Sequence, residues 1–207
     1  LGVCLTFHSM KEFKVLTQIV NPFLNRLYAR YYDTSSTSRA YERVETGGFY
    51  SFVRPLYHDS LRIENRVFED LRFARDLLAR NEITWSVFIE RIIKHCTSLF
   101  KSRHPMAKDL ADLLEKLRHF FELPENLLSA IEVLVKGYCK VLVKVYSESK
   151  PVKGVNVTMD YEVPINILSE LCGTITSTTN LNGEVIFEVP YRSHVTISTQ
   201  GKKKTYV

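Results

Sequence analysis

The sequence predicts an α+β protein of two domains, a helical bundle of four to five helices followed by a small antiparallel β-sandwich. Apolar residues recur every three or four positions through the first two thirds of the chain, which is the period of amphipathic helices. From Tyr138 onward apolar and polar residues alternate, which is typical of half-buried strands. Gly137 stands between the two patterns and suits the position that ends a helix. We therefore expect the bundle over residues 1–137 and the sandwich over residues 138–207.

Prolines mark several of the expected helix ends. Pro22 interrupts the first helical pattern, so that helix is expected to be kinked or divided there. Pro105 suits the first position of a later helix, and the pattern restarts at Pro124. The expected helices are residues 10–32, a segment from Asp59 or Ser60 to Arg80, residues 85–100, a segment that begins at Pro105, and a segment from Pro124 to Gly137.

Two segments between the first expected helices lack a helical pattern. Residues 33–48 are polar, end in two glycines and are expected to form a loop. Phe49–Tyr57 is aromatic, contains Pro55 and is expected to pack irregularly against the bundle. The helix that follows has a predicted buried stripe of apolar residues at steps of three and four. This stripe consists of Ile63, Val67, Leu71, Ala74 and Leu78.

The strand pattern is clearest at the start of the second predicted domain. Cys139, Val141, Val143 and Val145 are expected on one face, and Lys140, Leu142, Lys144 and Tyr146 on the other. Asn180–Gly183 is predicted to be a tight hairpin turn between strands at Thr174–Thr179 and Glu184–Val189. Residues 201–204 are predicted to form a further turn. Five to seven short strands at this spacing indicate a small antiparallel sandwich.

Composition places the chain among ordinary folded proteins, with 45% hydrophobic and 25% charged residues. The formal net charge is +5, and residues 1–104 carry the basic excess, with 16 Lys and Arg against 11 Asp and Glu. No apolar run approaches about 18 residues, so no transmembrane segment is predicted. The six histidines have no metal-ligand spacing, and no Gly-rich phosphate loop or nucleophile turn is present. No catalytic residue, cofactor or metal ligand is predicted, and the protein is not expected to be an enzyme.

The four cysteines show no metal or redox spacing. Cys4, Cys96, Cys139 and Cys172 form no C-x-x-C pair. A disulfide between Cys139 and Cys172 is an alternative to two free thiols, because the sequence alone does not place the partners. A reducing compartment, and hence the cytoplasm, is favoured, while an extracellular or virion location stays open.

The second predicted domain resembles the prealbumin-like sandwiches, which include carboxypeptidase regulatory-like and Cna-B-type repeats. The resemblance rests on V-K-V-Y, K-P-V-K-G-V-N-V, T-S-T-T-N-L-N-G-E-V-I-F-E-V-P and H-V-T-I-S, within residues 138–207. Asn180 stands where the family usually has Asp. Members are mostly non-catalytic spacer, adhesion or docking modules, often extracellular. Some Cna-B-type members carry a Lys–Asn isopeptide bond, for which the resemblance implies Lys144 with Asn182 or Asn156, and Glu162 or Glu188.

An arginine-rich helix is the alternative candidate site. Basic residues interleaved with aromatic residues are what a nucleic-acid surface needs. Acidic residues on the same helix, such as Glu69 and Asp76, instead favour a solvated surface of ion pairs. The candidate contacts are Arg62, Arg66, Arg72, Arg75, Phe49 and Tyr50.

These observations together predict a non-enzymatic structural or protein-interaction module. It would be a subunit of a larger assembly, with a virion and a cell surface among the candidate locations. A protein partner or self-assembly is expected. The alternative is a nucleic-acid-associated accessory subunit that uses the arginine-rich helix over residues 59–80.

Overall fold

A computed structural model of the protein describes residues 10–31, 54–199 and 202–206, with side chains described for residues 10–30 and 63–199. All of the described α-helices precede the strands, so the prediction of helices followed by antiparallel strands is confirmed; a short 3-10 helix, Asn166–Leu168, lies between two strands. The helices are α1 (Met10–Val15), α2 (Asn21–Tyr31), α3 (Arg54–Ala79), α4 (Trp85–Lys101), α5 (Met106–Leu117) and α6 (Glu125–Lys136). The strands are β1 (Tyr138–Lys144), β2 (Tyr146–Ser147), β3 (Lys150–Pro151), β4 (Asn156–Glu162), β5 (Cys172–Thr178), β6 (Glu184–Pro190), β7 (His194–Thr199) and β8 (Lys202–Tyr206).

A turn of π-helix, Leu16–Val20, joins α1 to α2 without a break. The Asn21 N–H donates to the carbonyl of Leu16, five residues earlier. Pro22 follows at once, and proline both lacks an N–H and crowds the carbonyl four residues before it. The wider π turn accommodates that proline. The expectation that Pro22 could divide this helix is therefore wrong.

Helix α3 begins earlier and faces differently than predicted. It starts at Arg54, because Pro55 suits the first helical turn, so the irregular packing predicted up to Tyr57 is wrong from Arg54 onward. Residues 33–48 and 49–53 lie outside the described residues. Ile63, predicted to be buried, is 46% exposed, whereas Phe68 and Glu64 are buried. The buried stripe is centred beside Val67 and Leu71 on the side of Phe68, which leaves Ile63 at its margin.

The described residues form two compact units, each with its own apolar interior. The first unit extends to His95 and includes His119–Phe121, and the second consists of Cys96–Arg118 and the chain from Glu122. Fully buried side chains in the first unit include Val20, Leu71, Ile89 and Ile92, and those in the second include Leu110, Leu114, Leu117 and Ile131. The domain boundary at Gly137 stays a prediction, although Gly137 ends the last α-helix with a positive φ of 76°, which favours glycine.

The strands of the second unit form antiparallel sheets. β5, β4, β7 and β8 lie side by side in that order, β1 pairs with β6, and β2 pairs with β3. The turn predicted at residues 201–204 is wrong, because β8 begins at Lys202. One apolar cluster contains residues of the four-stranded sheet and of the β1–β6 sheet. Its buried members are Val157, Met159 and Val195 from the four-stranded sheet and Val185, Phe187 and Val189 from β6.

The prediction of a hairpin at Asn180–Gly183 is wrong. The turn itself is tight, with the Gly183 N–H donating to the Asn180 carbonyl at 3.0 Å. The strands on either side then enter different sheets, since β5 pairs with β4 and β6 pairs with β1. A two-residue hairpin turn of type I′ has positive φ at both central residues. Glu148 and Ser149 supply it, at 47° and 65°, between β2 and β3.

Candidate interaction face on the two-stranded sheet

The four arginines that are predicted to contact nucleic acid all lie on α3. Phe49 and Tyr50 lie outside the described residues, and Arg62 lies on the helix with its side chain not described. Arg66 and Arg72 are exposed. The arginines do not share one stripe, because nine residues at about 100° per residue place Arg66 and Arg75 on opposite sides of the helix.

Arg75 is used within the first unit. Its Nη1 donates to Oδ1 of Asn21 at 3.1 Å, which ties α3 to α2. Its Nε lies 2.9 Å from Oδ1 of Asp76, although the N–H does not point well enough at that oxygen to form a hydrogen bond. This guanidinium is therefore partly engaged within the protein, which leaves less of it for a phosphate than Arg66 or Arg72 offers.

A second ionic group, absent from the sequence predictions, joins α3 to α4. Arg91 Nη1 donates to Oδ1 of Asp70 at 3.2 Å, and His95 Nε2 lies 2.8 Å from Oδ2 of the same carboxylate. The three side chains are each between one quarter and two fifths exposed. Their spacing suits a tie between helices, since Arg91 and His95 lie one turn apart on the same face.

Neither a metal centre nor a membrane-crossing helix is present in the part of the chain that the structure describes. A surface cavity of about 380 Å³ lies beside the π turn of the first unit. Among the lining residues that the structure describes, only Lys11 and Lys14 are charged, and with Gln18 these bring together no acid–base pair or nucleophile. The cavity therefore shows no assembled reaction centre.

Of the side chains implied by the Cna-B-type resemblance, Lys144 and Asn156 each have another partner. Lys144 is exposed and its Nζ lies 2.8 Å from Oε1 of Glu184. Asn156 lies on the four-stranded sheet, where it accepts a hydrogen bond from its cross-strand neighbour Thr178. Of the described cysteines, Cys96, Cys139 and Cys172 are all free thiols, so the alternative of a Cys139–Cys172 disulfide is wrong.

The candidate interaction surface is the outer face of the β1–β6 sheet, here called the β1–β6 face. It consists of three cross-strand pairs in antiparallel register. An apolar pair stands in the middle, with an oppositely charged pair on each side of it. The pairs are Lys140 with Glu188, Leu142 with Ile186, and Lys144 with Glu184.

The central pair of the β1–β6 face is exposed in an ordered sheet. Leu142 is 52% exposed and Ile186 is 60% exposed. The alternation predicted for β1 is confirmed from Val141 onward, since Val141 and Val143 pack on the apolar cluster while Leu142 points outward. The prediction that Cys139 faces inward with them is wrong, because Cys139 is exposed. Tyr146, which is 55% exposed, extends the outward row beyond β1.

Charges are distributed over this face by strand. Both lysines belong to β1 and both glutamates belong to β6. The hydrogen bond and charge of Glu184 raise the pKa of Lys144. Glu188 accepts a hydrogen bond from Arg103 at 3.0 Å, whereas Lys140 has no ion pair with any residue described here.

The β1–β6 face is held by the helices of the second unit. Arg192 Nη1 donates to Oε2 of Glu132 on α6 at 2.9 Å. The Tyr191 N–H donates to the carbonyl of Gly137 at 2.8 Å. These bonds fix the end of β6 against the end of α6 and the start of β1, so the face is presented on a supported sheet.

Both strands of this sheet also have an edge without a neighbour among the described strands, because β1 and β6 pair only with each other. Unpaired edges invite pairing with another chain unless charged residues discourage it. The outward lysines and glutamates supply such charges.

Comparison of the chain with protein-family models, curated proteins and solved structures finds no match. The resemblance to prealbumin-like sandwiches thus stays a prediction from the sequence motifs.

Proposed function

We propose that this protein is a non-enzymatic interaction module, a subunit of a larger assembly, which binds a protein partner through the β1–β6 face. The observation that carries the proposal is the exposed pair Leu142 and Ile186 at the centre of an ordered sheet, framed by charges. An apolar centre with a polar rim is the usual anatomy of a protein interface.

The shape of the face favours a macromolecular partner. Small-molecule sites are concave and bury most of their ligand. Leu142 and Ile186 instead project from the outer side of a two-stranded sheet, where only another surface of similar extent can cover both. The charged pairs beside them would contribute to the choice of partner and to the rate of association more than to affinity.

The architecture of the second unit supports the same proposal. Two antiparallel sheets share one apolar cluster, as the two layers of a β-sandwich do. We infer a sandwich from this sharing and from the prealbumin-like motifs. Modules of that kind mostly serve as spacers or docking domains, which agrees with a binding role.

The second candidate function is nucleic-acid binding, which the exposure of Arg66 and Arg72 favours. Anisotropy titrations with labelled single- and double-stranded DNA at low salt would test it. If it is right, replacing Arg66 and Arg72 with Ala should weaken binding and reduce its salt dependence. Absence of binding at low salt, or binding that the double variant leaves unchanged, would contradict it.

A photo-cross-linking amino acid placed at position 142 or 186 tests the proposed function. We expect irradiation in the cells that make this protein to give discrete adducts with protein at both positions. The same amino acid at Phe73, which is 56% exposed on α3, is the control for nonspecific capture. Adducts no more abundant or discrete than those from position 73 would refute the proposal.

A further inference from the structure

We propose that the partner of the β1–β6 face is a second copy of this chain, which binds face to face as a symmetric dimer. This inference rests on the proposed function, since it names the partner of the same face. It follows from the arrangement of charges across the two strands and from the symmetry that such an arrangement permits.

The β1–β6 face is divided into a basic and an acidic column. The basic column, on β1, reads Lys140, Leu142, Lys144. The acidic column, on β6, reads Glu184, Ile186, Glu188. A surface of this kind is complementary to itself when the basic column of one copy lies over the acidic column of the other.

A two-fold axis produces this match when it lies in the plane between the two facing sheets. It runs parallel to the strands, over the line midway between β1 and β6. Rotation about the axis exchanges the two columns and leaves the position along the strands unchanged. Each residue of one copy then faces a residue of the second copy, and that residue is the one it pairs with across the strands in its own copy. Lys144 faces Glu184 of the second copy, and Leu142 faces Ile186 of the second copy. Because of the two-fold symmetry, each of these contacts occurs twice in the dimer. Such an isologous contact closes on itself and needs no further partner.

The other aligned arrangement is disfavoured by charge. A two-fold axis perpendicular to the strands, within the plane of the interface, would place β1 over β1. Lys140 would then face Lys144 of the second copy, and Glu184 would face Glu188. Four contacts between like charges would oppose that dimer.

Pairing through the strand edges meets the same obstacle. Two β1 edges joined antiparallel about Leu142 would set Lys140 beside Lys144. Two β6 edges joined about Ile186 would set Glu184 beside Glu188. Like charges opposite each other destabilise a strand pair. The charge pattern therefore discourages both symmetric edge dimers and permits the face-to-face one.

The size of the face predicts a weak dimer. Three rows of residues on two strands, about 7 Å apart along the strand, present on the order of 300 Å² per copy. Stable interfaces bury about 800 Å² per partner. We therefore expect a dissociation constant between about 10 μM and about 1 mM, with reversible association that salt weakens.

Sedimentation equilibrium over a wide range of protein concentration tests the dimer with two charge-reversed variants. K144E places two Glu–Glu contacts in the proposed interface, and E184K places two Lys–Lys contacts there. Each variant alone should dimerise at least about tenfold more weakly than the native chain. An equimolar mixture restores every opposite-charge contact, so the two variants together should form a heterodimer about as strong as the native dimer.

Matched variants control for other effects. K153E changes the same charge at an exposed turn of the same unit and should dimerise like the native chain. I186T should weaken dimerisation, whereas V87T, at a valine 42% exposed on α4, should not. Circular dichroism and urea unfolding show whether each variant folds. If a charge-reversed variant does not fold, I186T tests the dimer in its place.

A native chain that stays monomeric at millimolar concentration would overturn the inference, as would dimers that survive K144E or a mixture that fails to associate. Failure here is distinguishable from failure of the proposed function. If cross-links at position 142 or 186 capture a different protein while the purified chain is monomeric, the interaction role stands and the second copy is excluded. If those cross-links also fail, both proposals fall.

Discussion

Phe100 and Tyr138 stack with ring centroids 4.6 Å apart and planes 4° from parallel. The Tyr138 hydroxyl donates to the carbonyl of Phe100 at 3.2 Å, and the Arg103 guanidinium lies over the ring, 4.7 Å from its centroid. Because Tyr138 is the first residue of β1, this group fixes the start of the strand to the end of α4. The same arginine bonds Glu188 on β6, so both strands of the two-stranded sheet are tied to the helix end.

The partly buried hydroxyl of Tyr138 predicts a loss of stability at alkaline pH. Burial, the largest cause, raises the pKa of Tyr138, and the nearby charge of Arg103 opposes it. The folded state therefore holds this proton more tightly than the unfolded state, whose tyrosines titrate near 10. The stability from Tyr138 is complete below pH 10 and declines as the pH rises through the folded-state pKa.

Replacing Tyr138 with Phe isolates this effect, because the ring stack stays and only the hydroxyl is lost. At pH 8 the variant should be less stable by about 1 kcal/mol, the usual net value of one hydrogen bond. The difference in the free energy of urea unfolding between the two proteins should shrink above pH 10. A difference that stays constant or grows would contradict the raised pKa.

Neighbouring residues of β6 are expected to differ sharply in their contribution to stability. Phe187 is 2% exposed within the apolar cluster, so F187A should reduce the free energy of unfolding by about 3–5 kcal/mol. Ile186 is 60% exposed, so I186T should change it by less than about 0.5 kcal/mol. Urea unfolding of dilute protein measures both. Similar losses for the two variants would mean that Ile186 is not on the outer face.

Local patterns in the sequence predicted the faces of β1 correctly from Val141 to Lys144, although not at Cys139, which is exposed. Strand side chains alternate with a period of two, so the outward position of Leu142 follows from its immediate neighbours. The partner of the strand did not follow, because Ile186 is more than forty residues away and the predicted hairpin assigned its strand to β5. The β1–β6 face exists only once that long-range pairing is known.

The arginine-rich helix shows the same limit. The sequence predicted its position and most of its buried residues, yet not the role of Arg75, whose partner Asn21 lies 54 residues earlier. The predicted buried stripe of α3 includes Ile63, which is exposed, because Ile63 fits the helical period as well as the buried residues do. Contact with the neighbouring helices selects Phe68 instead.

The cysteines are predicted to differ in reactivity. Cys96 is fully buried, and burial raises the pKa of its thiol to about 12, whereas Cys139 and Cys172 are exposed. The thiolate is the reactive form, so iodoacetamide at pH 8 should modify Cys96 at least about a hundredfold more slowly than the other two. Mass spectrometry of peptides gives each rate, and unfolding in urea should remove the difference. Labelling of Cys96 at the rate of Cys139 in the folded protein would contradict its burial.

Two glycines with nearly the same φ allow the cost of crowding to be separated from the cost of strain. Gly183 has a φ of +69°, and a Cβ there would lie 2.6 Å from the carbonyl oxygen of Val145 and 2.9 Å from the backbone N of Val152. Gly154 has a φ of +77°, and a Cβ there would meet nothing within 4 Å. G154A should therefore cost only the strain of a left-handed residue, about 1–2 kcal/mol.

G183A should cost the same strain and, in addition, displace backbone that is already bonded, since the Val145 N–H donates to the Gly183 carbonyl at 2.8 Å. We expect it to lose at least about 2 kcal/mol more than G154A, because rigid backbone rather than a flexible side chain must move. Urea unfolding of both variants beside the native chain gives the comparison. Equal losses would show that the turn at Asn180–Gly183 can move away from Val145, and a smaller loss in G183A would contradict the close approach itself.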